Sequence, residues 1–184
     1  MKLKKIKRMV VAGTAILMTL SLAGCGIGSD SVKLGAAGVG GGYYAFSNAF
    51  AQIASSEDED LDFEVKATAG STANIRLLSD GYVDMAIAQA DLVDAAYNGT
   101  GATDKKRYRG YSAVASLYTE ACQIVVRADS GIDSLDDLQG KKISVGEEES
   151  GTQRNAEQIL KMTGLVESLV DTVNLDYVDA ANEL

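Results

Sequence analysis

The sequence predicts an α/β protein with mostly parallel sheets, and three observations predict it. Short apolar runs of strand length alternate with stretches whose apolar residues recur at helical spacing. Three strand-to-helix junctions are runs of small residues, at positions 40–43, 70–72 and 150–152. Glycines stand where helices should stop, at Gly81, Gly140 and Gly164. Strands that alternate with helices in this way pair in parallel, with the helices as crossovers.

Residues 32–36 form a short apolar strand, followed by the glycine turn 38–42. From Tyr43 to Ala54, the residues Phe46, Ala49, Phe50 and Ile53 share one face of an amphipathic helix. The acidic stretch 57–60 reads as a solvated loop, and 63–67 alternates as a strand does. A second helix follows with Ile75 and Leu78 inward, then a strand over 83–88, apolar enough to be buried on both faces. Residues 90–97 make a third helix and 98–110 a polar loop. Residues 111–126 are strand-like but long, broken at Thr119-Glu120. One or two helical turns over 134–139 precede a strand at 142–145. A helix after Ser150 places Ala156, Ile159 and Leu160 together, and 173–178 reads as a last strand.

The chain has 184 residues with no His, Pro or Trp. Without His there is no Ser-His-Asp or Cys-His nucleophile pair and no imidazole metal ligand. Lys2, Lys4, Lys5, Lys7 and Arg8 precede an apolar run over 9–22, too short to span a bilayer with margin. The run ends in Leu22-Ala23-Gly24-Cys25, which resembles the bacterial lipobox. The expectation is therefore a lipoprotein signal peptide over 1–24, lipidation of Cys25 and a short tether over 25–31; the alternative is an anchor helix that is never cleaved. Of the 17 basic residues, five lie in 1–24 with no acidic one, which leaves 12 against 26 Asp+Glu and a net charge of −14. Such a surface repels nucleic acid. Once Cys25 is acylated, Cys122 is the one other cysteine, so no internal disulfide can form; its apolar neighbours read as burial.

Each small-residue junction offers a helix start, whose free N–H groups and partial positive charge suit a carboxylate or phosphate. Ordinary capping competes with that reading, since Ser150 with Gln153 fits a capping box and Ser71 is an acceptable N-cap. Nucleotide fingerprints fail: Tyr43 stands where G-x-G-x-x-G needs its third glycine, and no Gly-Lys-Ser/Thr occurs. Glu147-Glu148-Glu149 could attract a divalent cation, but reads more simply as a solvated turn.

The junctions occur in a familiar order: Gly40-Gly41-Gly42-Tyr43-Tyr44, Ala69-Gly70-Ser71-Thr72-Ala73-Asn74, Gly81-Tyr82-Val83-Asp84, Gln89-Ala90-Asp91, Leu117-Tyr118-Thr119-Glu120, Asp137-Leu138-Gln139-Gly140 and Ser150-Gly151-Thr152. The ordered set resembles the TAXI family of solute receptors for TRAP transporters (tripartite, ATP-independent) over about residues 32–164. Two departures stand out, Glu120 where the family usually has Pro and the acidic turn 147–149.

The resemblance implies a type II periplasmic-binding-protein fold, with a first lobe over 32–120 and a partial second lobe over 121–184, because family members run much longer. It implies a small carboxylate ligand similar to glutamate, glutamine or 2-oxoglutarate, with no cofactor or metal. It implies a cleft lined by Gly42, Tyr43, Ser71, Asn74, Gln89, Glu120, Ser150, Gly151 and Thr152, and as partners the membrane subunits of a TRAP transporter. The expected function is a lipid-anchored extracytoplasmic receptor, not an enzyme. The alternatives are a sensory ligand-binding module and, more remotely, an α/β enzyme using Glu120 or Asp91 as base.

Overall fold

A computed structural model describes residues 31–101, 105–166 and 168–184. The expected signal peptide, Cys25 and the expected tether up to Asp30 lie outside the described residues. The α/β class expected from the sequence is the class observed, and every ladder is parallel.

Strand β1 (Val32–Gly35) is central in a three-stranded sheet, with β2 (Phe63–Lys66) on one side and β3 (Met85–Ala86) on the other. Helices α1 (Gly42–Glu57) and α2 (Ser71–Ser79) are the crossovers, and α3 (Ala90–Asn98) follows β3. A second sheet pairs β4 (Lys142–Ser144) with β5 (Asp171–Val173), joined by α4 (Gly151–Met162); α5 (Tyr177–Glu183) closes the chain. A single 3-10 turn (Leu135–Leu138) precedes β4, with the Asp137 carboxylate accepting from the Ser134 backbone and hydroxyl at 2.8 Å each.

Each sheet has its own apolar centre. Leu34, Ala36, Ala73, Ile75 and Val83 are buried around the first. Leu138, Val145, Leu160, Leu165 and Val170 form a cluster around the second, with Ala156 packed against it as the helical spacing predicts.

Five expectations are corrected. Residues 111–126 carry no strand, because an apolar pattern becomes a strand only when a neighbour accepts its backbone hydrogen bonds, and none does here. In consequence Cys122 is exposed rather than buried, as are Val114, Leu117, Ile124 and Val125. The strand expected at 173–178 ends at Val173, since the Asp176 carboxylate caps a helix by accepting from the Asp179 N–H at 2.8 Å. Strand β3 pairs only with β1 and is half-buried, where burial on both faces was expected. On α1, Phe46 and Phe50 reach Tyr118 and Phe63, yet Ala49, Phe50 and Ile53 of the same face are exposed.

Candidate functional site

The carboxyl ends of the strands converge on a cleft of about 440 Å³. The turn after β1 contributes Gly38, Val39 and Gly40; the end of β2 contributes Ala67 and Thr68; Glu147 follows β4, and Asp176 and Val178 follow β5. This is where open α/β sheets hold ligands, because loops there diverge and helices begin. The volume suits a small molecule. Among the described residues, two carboxylates line the cleft and no Lys or Arg does. Burial raises the Glu147 carboxyl above its ordinary range, and the Asp176 charge raises it further.

None of the nine site residues nominated from the sequence lines this cleft; several of them instead meet one another. Tyr43, the second residue of α1, is half-buried between Ser71 and Glu120. Burial pushes its phenol strongly upward, the Ser71 hydroxyl opposes this, and the Glu120 carboxylate adds to it. Ser71 is buried and its Oγ accepts from the Gln89 N–H at 3.1 Å. Gln89 turns its amide against Gly151, and its Oε1 is buried with no hydrogen-bond partner. A Cβ at Gly151 would collide with that amide and stand 2.9 Å from the Ser71 Oγ, so only glycine permits this approach. Glu120 itself is exposed.

Three of the nominated side chains have other work. Asn74 is fully buried; its Nδ2 donates to the carbonyls of Gly35, Ala36 and Ile87, and its Oδ1 accepts from Thr68 Oγ1 at 2.7 Å. It fastens the ends of β1 and β3 under the cleft and presents nothing to it. Ser150 Oγ accepts from the Gln153 N–H at 2.9 Å, the capping alternative. The return bond of the box goes elsewhere, since Gln153 Oε1 accepts from the Glu149 N–H at 3.0 Å. Thr152 Oγ1 bonds the Tyr177 hydroxyl at 2.8 Å.

The three helix starts differ in what they leave open. At α2 the N–H groups of Thr72 and Ala73 both donate to the Glu149 carbonyl, at 3.1 and 3.2 Å. At α4 the Ser150 cap takes the Gln153 N–H. Helix α1 begins after Gly41, which has no side chain to cap it, and Gly42 is exposed. Its first-turn donors suit an anion.

Sequence reasoning did not nominate the cleft residues Asp176 and Thr68, and weighed Glu147 only within an acidic turn that could attract a cation or simply face solvent. The acidic turn 147–149 is not uniformly solvated: Glu149 pairs with Arg76 at 2.6 Å, Glu147 lines the cleft, and Glu148 alone is exposed. Its place just after a strand was the available signal. Asp176 was hidden by its assignment to a strand.

The NMT1-like family model matches residues 34–184. This is a periplasmic-binding-protein-like family of ligand-binding proteins, and its match spans both sheets and the whole cleft. With its parallel α/β sheets and a cleft at their carboxyl ends, the chain belongs to the NMT1-like family.

Proposed function

We propose that this protein is a lipid-anchored extracytoplasmic solute receptor of the TAXI kind, non-enzymatic, which passes a small organic acid to the membrane subunits of a TRAP transporter. The observation that carries the reading is the cleft of about 440 Å³ at the strand ends of a binding-protein family member. The uncapped start of α1 at Gly42 and Tyr43 supplies donors for a carboxylate, and Glu120 and Ser71 hold Tyr43 beside it. The lipobox at Cys25 and the cationic leader support anchoring outside the cytoplasm.

The test is mass spectrometry of ligand copurified with the full-length protein, followed by calorimetry with glutamate, glutamine and 2-oxoglutarate. Saturable binding without turnover is expected, and conversion of a bound acid to product would favour the enzyme reading instead. Cys25→Ala should accumulate an unprocessed precursor, and deletion of the membrane subunits should abolish uptake of the ligand.

A further inference from the structure

We propose that residues 111–126 are a pairing edge for a second copy of this chain, which joins them antiparallel into a two-chain ladder. The segment has the composition of a strand, and the single chain gives it no strand to pair with.

The backbone supplies the first observation. From Tyr111 to Val126 the chain makes no helix, turn or bend, and every residue from 112 to 125 is exposed. Among the described residues, no N–H or carbonyl of the segment bonds another backbone group. A straight run of unpaired backbone groups is a template for another strand. The segment holds no Pro or Lys, the residues that commonly blunt such an edge.

The side chains agree with the backbone. Val114, Leu117, Tyr118, Ile124 and Val125 are exposed, Val114 at 84%, and cross-strand contact between such residues stabilises a ladder. The Phe46 ring beside Tyr118 ties the middle of the segment to α1, so the edge is held in place. Glu120 is the segment's one charge, and it is turned to the Tyr43 hydroxyl of its own chain. A bilayer surface would cover the apolar side chains but leave the backbone groups without partners.

The flanks identify the partner as this same chain and set the direction. Lys105, Lys106, Arg107 and Arg109 precede the segment, and Asp129, Asp133, Asp136 and Asp137 follow it, all of them exposed. Arg127, the one cation on the acidic side, is already paired with Asp129. Antiparallel pairing sets the basic flank of each copy against the acidic flank of the other, twice, about one twofold axis. Parallel pairing would stack like charges at both ends. The net charge of −14 outside residues 1–24 opposes the approach of two copies. Charges more than about 8 Å apart are largely screened at physiological ionic strength, however, while the flanks meet at contact.

The experiment uses the full-length chain in mild detergent, with its mass followed against concentration by analytical ultracentrifugation. A monomer–dimer equilibrium is expected, and amide hydrogen exchange over 111–126 should slow as the dimer forms. Lys105→Glu with Lys106→Glu should weaken the dimer by about tenfold or more, as should Asp133→Lys with Asp136→Lys. An equal mixture of the two variants should restore it, because each copy then meets its complement at both flanks. Val114→Pro with Val125→Pro, both on exposed residues, should remove the ladder while apo melting of the monomer is kept. A monomer at every concentration, a dimer that all three variants keep, or a mixture that fails to restore pairing overturns the inference. So does slow exchange of 111–126 in the monomer, which would mean that the chain covers its own edge. Slowing that appears only with phosphatidylglycerol vesicles would make a bilayer the partner and also overturn it. Solute binding by calorimetry is read separately, so each of these results leaves the receptor reading standing.

Discussion

The Arg76 guanidinium lies 2.6 Å from the Glu149 carboxylate, which ties helix α2 to the turn that starts α4. The same residue's carbonyl accepts from the first free N–H groups of α2, and its backbone is left-handed at φ 63°. Both side chains are more than a third exposed, so the pair contributes only about 0.2–1 kcal/mol. The left-handed backbone costs roughly 1–2 kcal/mol for a residue with a Cβ, against about 0.5–1 kcal/mol of extra chain entropy for glycine. Glu149→Ala loses the pair and keeps the strain; Glu149→Gly loses the pair and relieves it. Urea unfolding should therefore rank the Gly variant above the Ala variant, and the reverse order would mean that the turn is not left-handed in solution.

Gly151→Ala offers a sharper test of the junction. Helix propensity alone favours alanine over glycine inside a helix by roughly 1 kcal/mol. Here the new Cβ would strike the Gln89 amide and approach the Ser71 Oγ at 2.9 Å, and such overpacking costs about 1–3 kcal/mol. The variant should melt lower than the parent, and adding Gln89→Ala should restore much of the loss. A Gly151→Ala protein that melts higher would show that Gln89 does not pack against α4.

Asn74→Ala should be among the most destabilising substitutions in the first sheet. It removes a partner from the carbonyls of Gly35, Ala36 and Ile87 and from the Thr68 hydroxyl, but Gly35 keeps the Ile87 N–H and Ala36 keeps the Thr68 hydroxyl, so the Ile87 carbonyl is the group left unpaired. A buried group left unpaired costs about 1–3 kcal/mol, and a loss in that range is expected by denaturant unfolding. A loss under about 1 kcal/mol would mean that water replaces the amide.

What was legible in the sequence was what depends on local pattern. The alternation of Leu34 and Val65 strands with helices, and the Ala156–Leu160 face of α4, follow from spacing alone. Ser150 was legible as a cap for the same reason. Residues 111–126 were not, because their apolar content resembles a strand's and only a partner ladder distinguishes the two. Glu147 and Asp176 were hidden in a further way. They stand 29 positions apart in sequence, and only the parallel pairing of β4 with β5 brings their strand ends to one cleft. Asn74 shows the opposite failure: its residue type suits ligand binding, but full burial turns it inward as a fastener.

The Glu147 carboxyl predicts a pH dependence with a definite sign. Burial first, and Asp176 second, raise its folded-state value above the ordinary 4.5. A raised carboxyl is most stabilising while protonated, and that contribution is lost as pH rises through its folded value. Glu147→Gln should therefore stabilise the ligand-free protein at neutral pH, and the gain should shrink as the pH falls into the range where Glu147 is protonated in the parent. Thermal melts from pH 7 down to the carboxylate range check this; a gain that is constant or grows on acidification contradicts it.

The hydroxyls of Ser150 and Thr152 separate capping from ligand contact. Ser150 Oγ already accepts from the Gln153 N–H, and Thr152 Oγ1 already bonds the Tyr177 hydroxyl. Ser150→Ala should cost about 1 kcal/mol of stability as a lost N-cap. Thr152→Val removes one hydrogen bond between α4 and α5, worth about 0.5–1.5 kcal/mol net. Neither hydroxyl has a free role toward the cleft, so affinity per folded molecule for the copurified ligand should stay unchanged in both. Melting without ligand and calorimetry on the same preparations read the two effects independently. A tenfold loss of affinity, about 1.4 kcal/mol, with apo melting unmoved would mean that these hydroxyls leave their present partners and turn to the ligand when it binds.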